Sequence, residues 1–415
     1  MATTFYKHDN KVIGFQNKVV SAPTAVPSLA EFTINTTASP QDFTFYLNTP
    51  SNLVVEWGDG TSDDTFTTTG NKTHSYASAG DHTLKIKSGT AVRVAFGASS
   101  CTPLRLKAVT QAISASLGVT SAQDMFKGCN NCTSWATAFF DSASANITNM
   151  SDTLNGCTTF NESVSGWNTA KVTTMLGTFG SCAAFNQSLA NFDTAKVTNM
   201  NYLLSGCSVF NGSVANFNTA NVTEMKYMFE VCKVFNQSVA SFNTAKVTTM
   251  QSTFSDCWAF NQDVSNFNTA NVTNISSMFW GCKVFNQSVA SFNTAKVTTM
   301  GGIFRGCSVF NQDVSTFNTA LVQSMQEMFQ DCTAFNQDVS GWTVTALTGA
   351  SNMLYHSAFA KTNYDLLLVA WAAQAVQNSV TFHAGTAHYS AGDPATAHDH
   401  LTGTHSWTIT DGGTP

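Results

Sequence analysis

The sequence predicts a repeat solenoid with an all-β module on its N-terminal side and a capping segment on its C-terminal side. Three observations predict it. Nine cysteines, Cys132, Cys157, Cys182, Cys207, Cys232, Cys257, Cys282, Cys307 and Cys332, fall on a strict 25-residue step. The stretch CKVFNQSVASFNTAKVTTM runs from Cys232 to Met250 and recurs unchanged from Cys282 to Met300. Phe followed by Asn keeps the same step, at Phe160, Phe185, Phe210, Phe235, Phe260, Phe285, Phe310 and Phe335 and at Asn161, Asn186, Asn211, Asn236, Asn261, Asn286, Asn311 and Asn336. A fixed period between about 20 and 50 residues marks an array of stacked units.

Within one coil, Met225, Met228, Phe229 and Cys232 stand at i, i+3, i+4 and i+7, the spacing of one helix face. The expectation is a short inward-facing helix. Phe235 to Val239 then alternates apolar and polar residues, which reads as a short half-buried strand. Gln237 shares the inward parity of Phe235 and Val239, so a bend or bulge is expected there. A polar loop, Phe242 and the run NTAKVTTM lead into the next coil.

Stacking such coils in register sets equivalent residues about 4.8 Å apart. Phe files then pack face to edge and Asn files hydrogen-bond from coil to coil. The cysteine file reads as free buried thiols, because parallel side chains in register give poor disulfide torsion. Cys157 to Cys332, Phe185 to Phe310 and Asn186 to Asn311 are thus expected as structural ladders. The outward polar slots Gln187, Gln237, Gln262, Gln287, Gln312 and Gln337 are the candidate ligand-facing ladder. Cys129 and Cys132 form a lone CxxC with no second pair, a weak zinc signal.

The totals narrow the function classes. Charged residues make up 11% of the 415, against 43% hydrophobic, so Asn, Thr and Ser supply the polar surface. The net charge is -6 and the 19 Lys and Arg are dispersed, which argues against capture of a nucleic-acid backbone. No apolar run approaches the roughly 20 residues of a membrane span; the longest lies around Leu366 to Ala373. The start, MATTFYKHDNKVIGFQNK, lacks the apolar centre of a secretory signal, so no ordinary export signal is expected. Eleven cysteines are an odd number and cannot all pair within one chain.

The coil elements Val-Thr-x-Met, Met-Phe-x-x-Cys and Phe-Asn-Gln resemble the repeat of the BspA-like leucine-rich-repeat surface proteins, the DUF285 type, over roughly residues 125 to 345. The closing segments Tyr364-Asp365-Leu366-Leu367, Trp371-Ala372-Ala373-Gln374 and Trp407 to Gly413 are similar to the terminal segment of such arrays. The resemblance implies a leucine-rich-repeat-like solenoid used for surface display and adhesion, in bacteria or in phage-encoded proteins, without a shared active site. Trp at the loop aromatic position survives at Trp167 and Trp342 and is Phe in the coils between.

Both flanks read as covers for an exposed apolar interior. Residues 28–97 alternate apolar and polar, and contain Trp57-Gly58-Asp59-Gly60 followed by His74-Ser75-Tyr76. This resembles the PKD-type immunoglobulin-like sandwich. Asp59, Asp63 and Asp64 suit either calcium or turn geometry, turn geometry being favoured. Residues 98–131 are expected as an adaptor or degenerate first coil, residues 132–345 as the array and residues 346–415 as the cap. Five of the nine histidines lie between His383 and His405, yet His398 and His400 sit two apart on an expected helix and point in different directions.

The expected function is non-enzymatic display at a virion surface after folding in the host cytoplasm, with attachment to a host surface protein or glycan. No cofactor is expected. Residues 1–27 are the expected docking arm toward other virion proteins, and a homo-oligomer is allowed. A bacterial adhesin is the alternative. A glycan-cleaving enzyme needs two facing carboxylates, and Glu162, Asp193, Glu224, Asp263, Asp313 and Asp338 are scattered over the coils. Threonine files at 169 to 319 and 173 to 298 raise ice binding as a third reading, with no activity expected.

Overall fold

The structure is a computed structural model that describes residues 27–414 and two short strands before them, β1 (Tyr6–His8) and β2 (Lys11–Ile13). Those strands pair antiparallel, with Tyr6 opposite Ile13. The rest of the expected docking arm lies outside the described residues.

The N-terminal part is all β. Strands β3 (Ala30–Thr36), β4 (Gln41–Asn48), β5 (Ser51–Glu56), β6 (Asp64–Phe66), β7 (Gly70–Tyr76), β8 (Gly80–Thr90), β9 (Arg93–Ala95), β10 (Leu106–Gln111) and β11 (Ser134–Trp135) form two sheets. Their orders are β11-β10-β3-β8-β5-β6 and β7-β4-β9. Strand β3 buries Ala30, Phe32 and Ile34 and leaves the residues between half-exposed, as a period of two requires. Rings from both sheets meet in one core: Phe32 lies edge-on to Phe96 at 4.8 Å, and Phe45 edge-on to Trp57 at 6.0 Å.

This sheet does not stop at residue 97. Strand β10 pairs antiparallel with β3, and β11 adds to β10 in parallel. The segment expected as an adaptor therefore gives one strand to the N-terminal sheet. Its second half is already the first coil, since Ser121 bridges Asn149.

From there a chain of single parallel bridges runs through Asn149, Thr174, Asn199, Glu224, Thr249, Asn274, Thr299, Ser324 and Gly349. Between bridges the coils contain turns, and the helix expected over Met225 to Cys232 is absent. The N–H groups of Met200, Tyr202, Leu204 and Gly206 donate to the carbonyls of Glu224, Lys226, Met228 and Glu230 in the following coil, at 2.7–3.0 Å. The intervening N–H groups of Leu203, Ser205 and Cys207 close turns three residues back. An α-helix would spend these donors internally; the turns leave every second one for the neighbour. Left-handed residues make this possible, Tyr227 at φ 57° and Val231 at φ 60° in one coil and their equivalents in the others.

The strand expected over Phe235 to Val239 is likewise corrected. Phe235 and Val239 do turn inward, but the segment joins no backbone ladder, and Asn236 N–H donates to the Asn211 side chain instead.

A third correction concerns the first coil. Ala122, Asp124, Phe126 and Gly128 donate to Asn149, Ser151, Thr153 and Asn155. That register puts Cys129, rather than Cys132, in line with Cys157, because this coil carries three extra residues. The four-residue helix α1 (Asp141–Ser144) falls in the same longer coil.

After the array, α2 (Lys361–Ala372) buries Tyr364, Leu367, Leu368 and Trp371. Strand β12 (Thr381–His383) continues the bridge chain through Ala350 and Phe382, and pairs in parallel with β13 (Thr408–Thr410). Helix α3 (Asp393–Asp399) and a π-helical turn, His400–Thr404, lie between those strands. Gln374 accepts from Val344 N–H and donates to the Trp342 carbonyl, tying α2 to the last coil. One apolar core runs from Ala30 to Trp407. Among the described residues no sheet closes into a barrel, and no helix is long and apolar enough to cross a membrane.

Candidate functional site

Coil positions are counted from the methionine that follows each bridge residue, so that Met175, Met200, Met225, Met250 and Met300 are position 0. The glutamines expected to face a ligand stand at position 12. Gln187, Gln237, Gln262, Gln287, Gln312 and Gln337 are each half-buried. Each donates its side-chain amide to the Asn side-chain oxygen of the preceding coil, at 2.9–3.1 Å. The same oxygen accepts the backbone N–H of the next Asn, at 2.7–3.1 Å from Asn186 to Asn336. Each amide nitrogen thus makes a bond within the array.

The other files are equally committed. The thiols of Cys157, Cys182, Cys207, Cys232, Cys257, Cys282, Cys307 and Cys332 are free, buried, and each lies 2.8–3.2 Å from a backbone carbonyl of the preceding coil. Burial raises all of these thiols above their usual range. The Phe rings stack face to face and offset, where edge contacts were expected: Phe185, Phe210, Phe235, Phe260, Phe285 and Phe310 follow one another at 5.8–6.1 Å with planes within 15°. Identical backbone frames repeat the ring orientation, so neighbouring rings have no way to turn edge-on. Thr169 to Thr319 are buried, and the exposed Thr198, Thr223, Thr248, Thr273 and Thr298 give both N–H and hydroxyl to the preceding threonine's carbonyl.

The Asp59 turn holds three carboxylates with three separate partners. Asp59 sits 2.7 Å from His74 Nε2 and accepts from the Thr61 N–H and hydroxyl. Burial pushes its carboxyl up, but the Thr61 and His74 hydrogen bonds outweigh this and hold it at about 2. Asp64 accepts from the Trp57 indole, and Asp63 pairs with Lys87 at 3.0 Å. Gly58 is at φ 78°, with space for no Cβ, which would fall 2.3 Å from the Thr83 carbonyl oxygen. Asp59 therefore serves the turn, while Asp63 and Asp64 bond to Lys87 and Trp57 outside it. Among the described residues no group of three His, Cys, Asp or Glu is placed to hold a metal ion. His398 stacks on Tyr389, and His400 lies edge-on to His405.

One edge of the array escaped the sequence reading. The repeated nineteen letters stop at Met250 and Met300, and the residues after them differ: QSTFSD follows the first copy and GGIFRG the second. Position 5 is Gly180, Ser205, Glu230, Ser255, Trp280, Arg305 and Gln330 in successive coils. Exposed positions elsewhere, such as the Asn at position 11, hold one residue throughout. The signal was present in the letters that fail to repeat.

This edge carries exposed Tyr202, Trp258 and Trp280. Tyr202 stacks on Tyr227 at 4.7 Å. Lys233 and Lys283 sit over the Trp258 ring from the coils on either side, at 4.6 and 4.0 Å, and Arg305 over Trp280 at 4.7 Å. A recess of about 240 Å³ opens beside Tyr202, lined also by Asp152, Asn155, Leu176, Gly180, Ser181 and Ser205.

The family described as "Mycoplasma protein of unknown function, DUF285" matches this chain three times, over residues 120–232, 210–300 and 285–391. The matches cover the bridged coils and reach past β12 into the cap. Comparison with curated proteins and with solved structures returned no match.

Proposed function

The chain belongs to the DUF285 family, and from that premise we propose that it is a non-enzymatic surface-display protein, a bacteriophage virion component that attaches to a host surface or glycan. Tail fibre, receptor-binding and capsid-decoration roles all fit this reading. In finer terms the bridged coils are read as a leucine-rich-repeat-like solenoid and residues 28–97 as a PKD-type immunoglobulin-like sandwich. The chain of parallel bridges supports the first, and the two strand sheets sharing one aromatic core support the second.

The observation that carries the reading is the unbroken coil-to-coil bonding from Ser121 to Gly349, in which N–H groups, amides, hydroxyls and thiols all bond along the stack. Such an array is a stiff spacer that presents its edges at a fixed rise. The scattered carboxylates have separate structural partners: Asp263, Asp313 and Asp338 accept from the N–H two residues on, and Glu224 accepts from Asn201 in the preceding coil. A buried file of reduced thiols suits folding in a reducing cytoplasm before display outside the cell. Residues 1–27 would dock the chain to other virion proteins.

Mass spectrometry of purified particles tests this. Peptides of this chain found in stoichiometric amount with tail or capsid proteins are the expected result. Peptides recovered only from the envelope of bacterial cells would overturn the virion reading and select a cell-surface adhesin.

A further inference from the structure

We propose that the recess beside Tyr202 is a saccharide subsite for a neutral pyranose ring, held between the Tyr202 face and the polar wall formed by Asp152 and Asn155. The inference rests on the attachment reading and names the ligand class and the residues.

The recess follows from what one coil omits. Positions 2 and 5 carry side chains in the coils on both sides, Asp152 and Asn155 before, Tyr202 and Ser205 after. In the coil between them both positions are glycine, Gly177 and Gly180. Asp152 and Asn155 lean into the space these glycines leave: a Cβ at Gly177 would overlap the Asp152 carboxylate, and one at Gly180 would stand 3.1 Å from the Asn155 amide nitrogen, so the polar wall lies over the glycine coil. Tyr227 covers one face of Tyr202. On the other side the equivalent position is Gly177, so no side chain of that coil covers the second face, and the ring lines the recess at 41% exposure.

The opposite wall is polar and braced. Asn155 donates to Asp152 at 2.8 Å, and Lys127 binds the other Asp152 oxygen at 2.8 Å. The Lys127 ammonium balances the carboxylate, leaving a wall of hydrogen-bonding groups with little net charge. Ser181 and Ser205 add hydroxyls at the rim. A flat aromatic face opposite amide, carboxylate and hydroxyl groups matches a sugar ring, which offers C–H bonds on one face and hydroxyls around its edge. At water's share of about 30 Å³ the recess holds about eight waters, which is the scale of one ring rather than a drug-sized ligand.

The full chain should be titrated with glucose, galactose, mannose and N-acetylglucosamine under saturation-transfer NMR, beside whole-cell attachment. We expect transfer to ring protons of at least one sugar, at least tenfold weaker binding in Tyr202→Ala and Gly180→Gln, and unchanged binding in Trp258→Ala on the same edge. Tyr202 is partly exposed and loses only its stack on Tyr227, so its variant should melt a few degrees below the wild type and remain folded at the titration temperature, which a thermal scan checks. No transfer from any of the four sugars, or transfer that survives both recess variants, overturns the subsite. Wild-type attachment to cells that survives both variants sinks the subsite alone; a wild-type chain that attaches to no cell sinks the broader reading.

Discussion

The thiol of Cys232 lies 3.2 Å from the carbonyl oxygen of Leu204 in the preceding coil, and the Leu204 oxygen also accepts the N–H of Cys207. Each inward carbonyl at position 4 thus takes a turn bond from its own coil and a thiol from the next. A side chain that is small, apolar and able to donate meets both demands, and cysteine is the residue that does.

This predicts a graded series at Cys257, whose thiol donates to Phe229. Cys257→Ala removes a buried donor and leaves a small void, and should cost about 1–2 kcal/mol in chemical denaturation. Cys257→Ser keeps the donor and should cost less. In the folded chain only Cys101, half-exposed and pushed up by burial to about 11, should react with a thiol reagent, and slowly. All eleven cysteines should react once the chain is denatured.

Much of this arrangement is legible in the sequence, because a 25-residue step forces like onto like and the apolar letters mark the inward positions. What the letters concealed is backbone conformation. Met225, Met228, Phe229 and Cys232 fit a helix face, but the chain reaches the same inward placement through turns with left-handed residues at positions 2 and 6. Glycine holds position 6 at Gly156, Gly206, Gly281 and Gly306, a hint diluted by Ser181, Val231, Asp256 and Asp331 in the same slot. The frame of the first coil was hidden too, since Cys132 keeps the 25-residue step while Cys129 occupies the file. The candidate recess was invisible for a different reason: it is made by what Gly177 and Gly180 lack.

Val231 is the least comfortable of these left-handed residues, being β-branched at φ 60°. Its N–H donates to Ser255, and the N–H of Lys233 bonds back to the Val231 carbonyl, so the array holds it there. Val231→Gly should stabilise the chain by about 1 kcal/mol, the left-handed penalty less the added freedom of the unfolded glycine. A raised denaturation midpoint with unchanged slope is the expected observation.

The Asp59 turn gives a pH dependence. Its carboxyl is held at about 2 in the folded chain against about 3.9 when unfolded. A depressed folded value means the contribution is complete above the unfolded value and is lost as pH falls from about 4 toward 2. Asp59→Asn should lower the stability of the N-terminal sheets at pH 7 and flatten that acid limb. Trp57, stacked on His74 at 4.4 Å, offers a fluorescence signal for melts between pH 2 and 7.

A last prediction concerns how the array handles charge at a fixed rise. Lys171 and Lys196 stand at position 21 on consecutive coils, and from Lys196 onward the position alternates, Lys196, Asn221, Lys246, Asn271 and Lys296. Lys296 donates to the Asn271 side-chain oxygen at 2.7 Å, and Asn271 donates to the Ala245 carbonyl at 2.9 Å. The asparagine therefore spaces two ammonium groups and bonds in both directions. Asn271→Lys would set three lysines on consecutive coils, each neighbouring pair repelling by about 0.8 kcal/mol at 5 Å in water, with both side-chain bonds lost as well. The variant should be less stable by about 1–2 kcal/mol at low salt and should recover part of that at 0.5 M salt, where the screening length falls below about 5 Å. Asn271→Leu, the residue already tolerated in this file at Leu321, loses the bonds without the charge, so its deficit should not change with salt. Melting both variants across a salt series separates repulsion from lost hydrogen bonds, and equal salt dependence of the two would show that the alternation plays no electrostatic part.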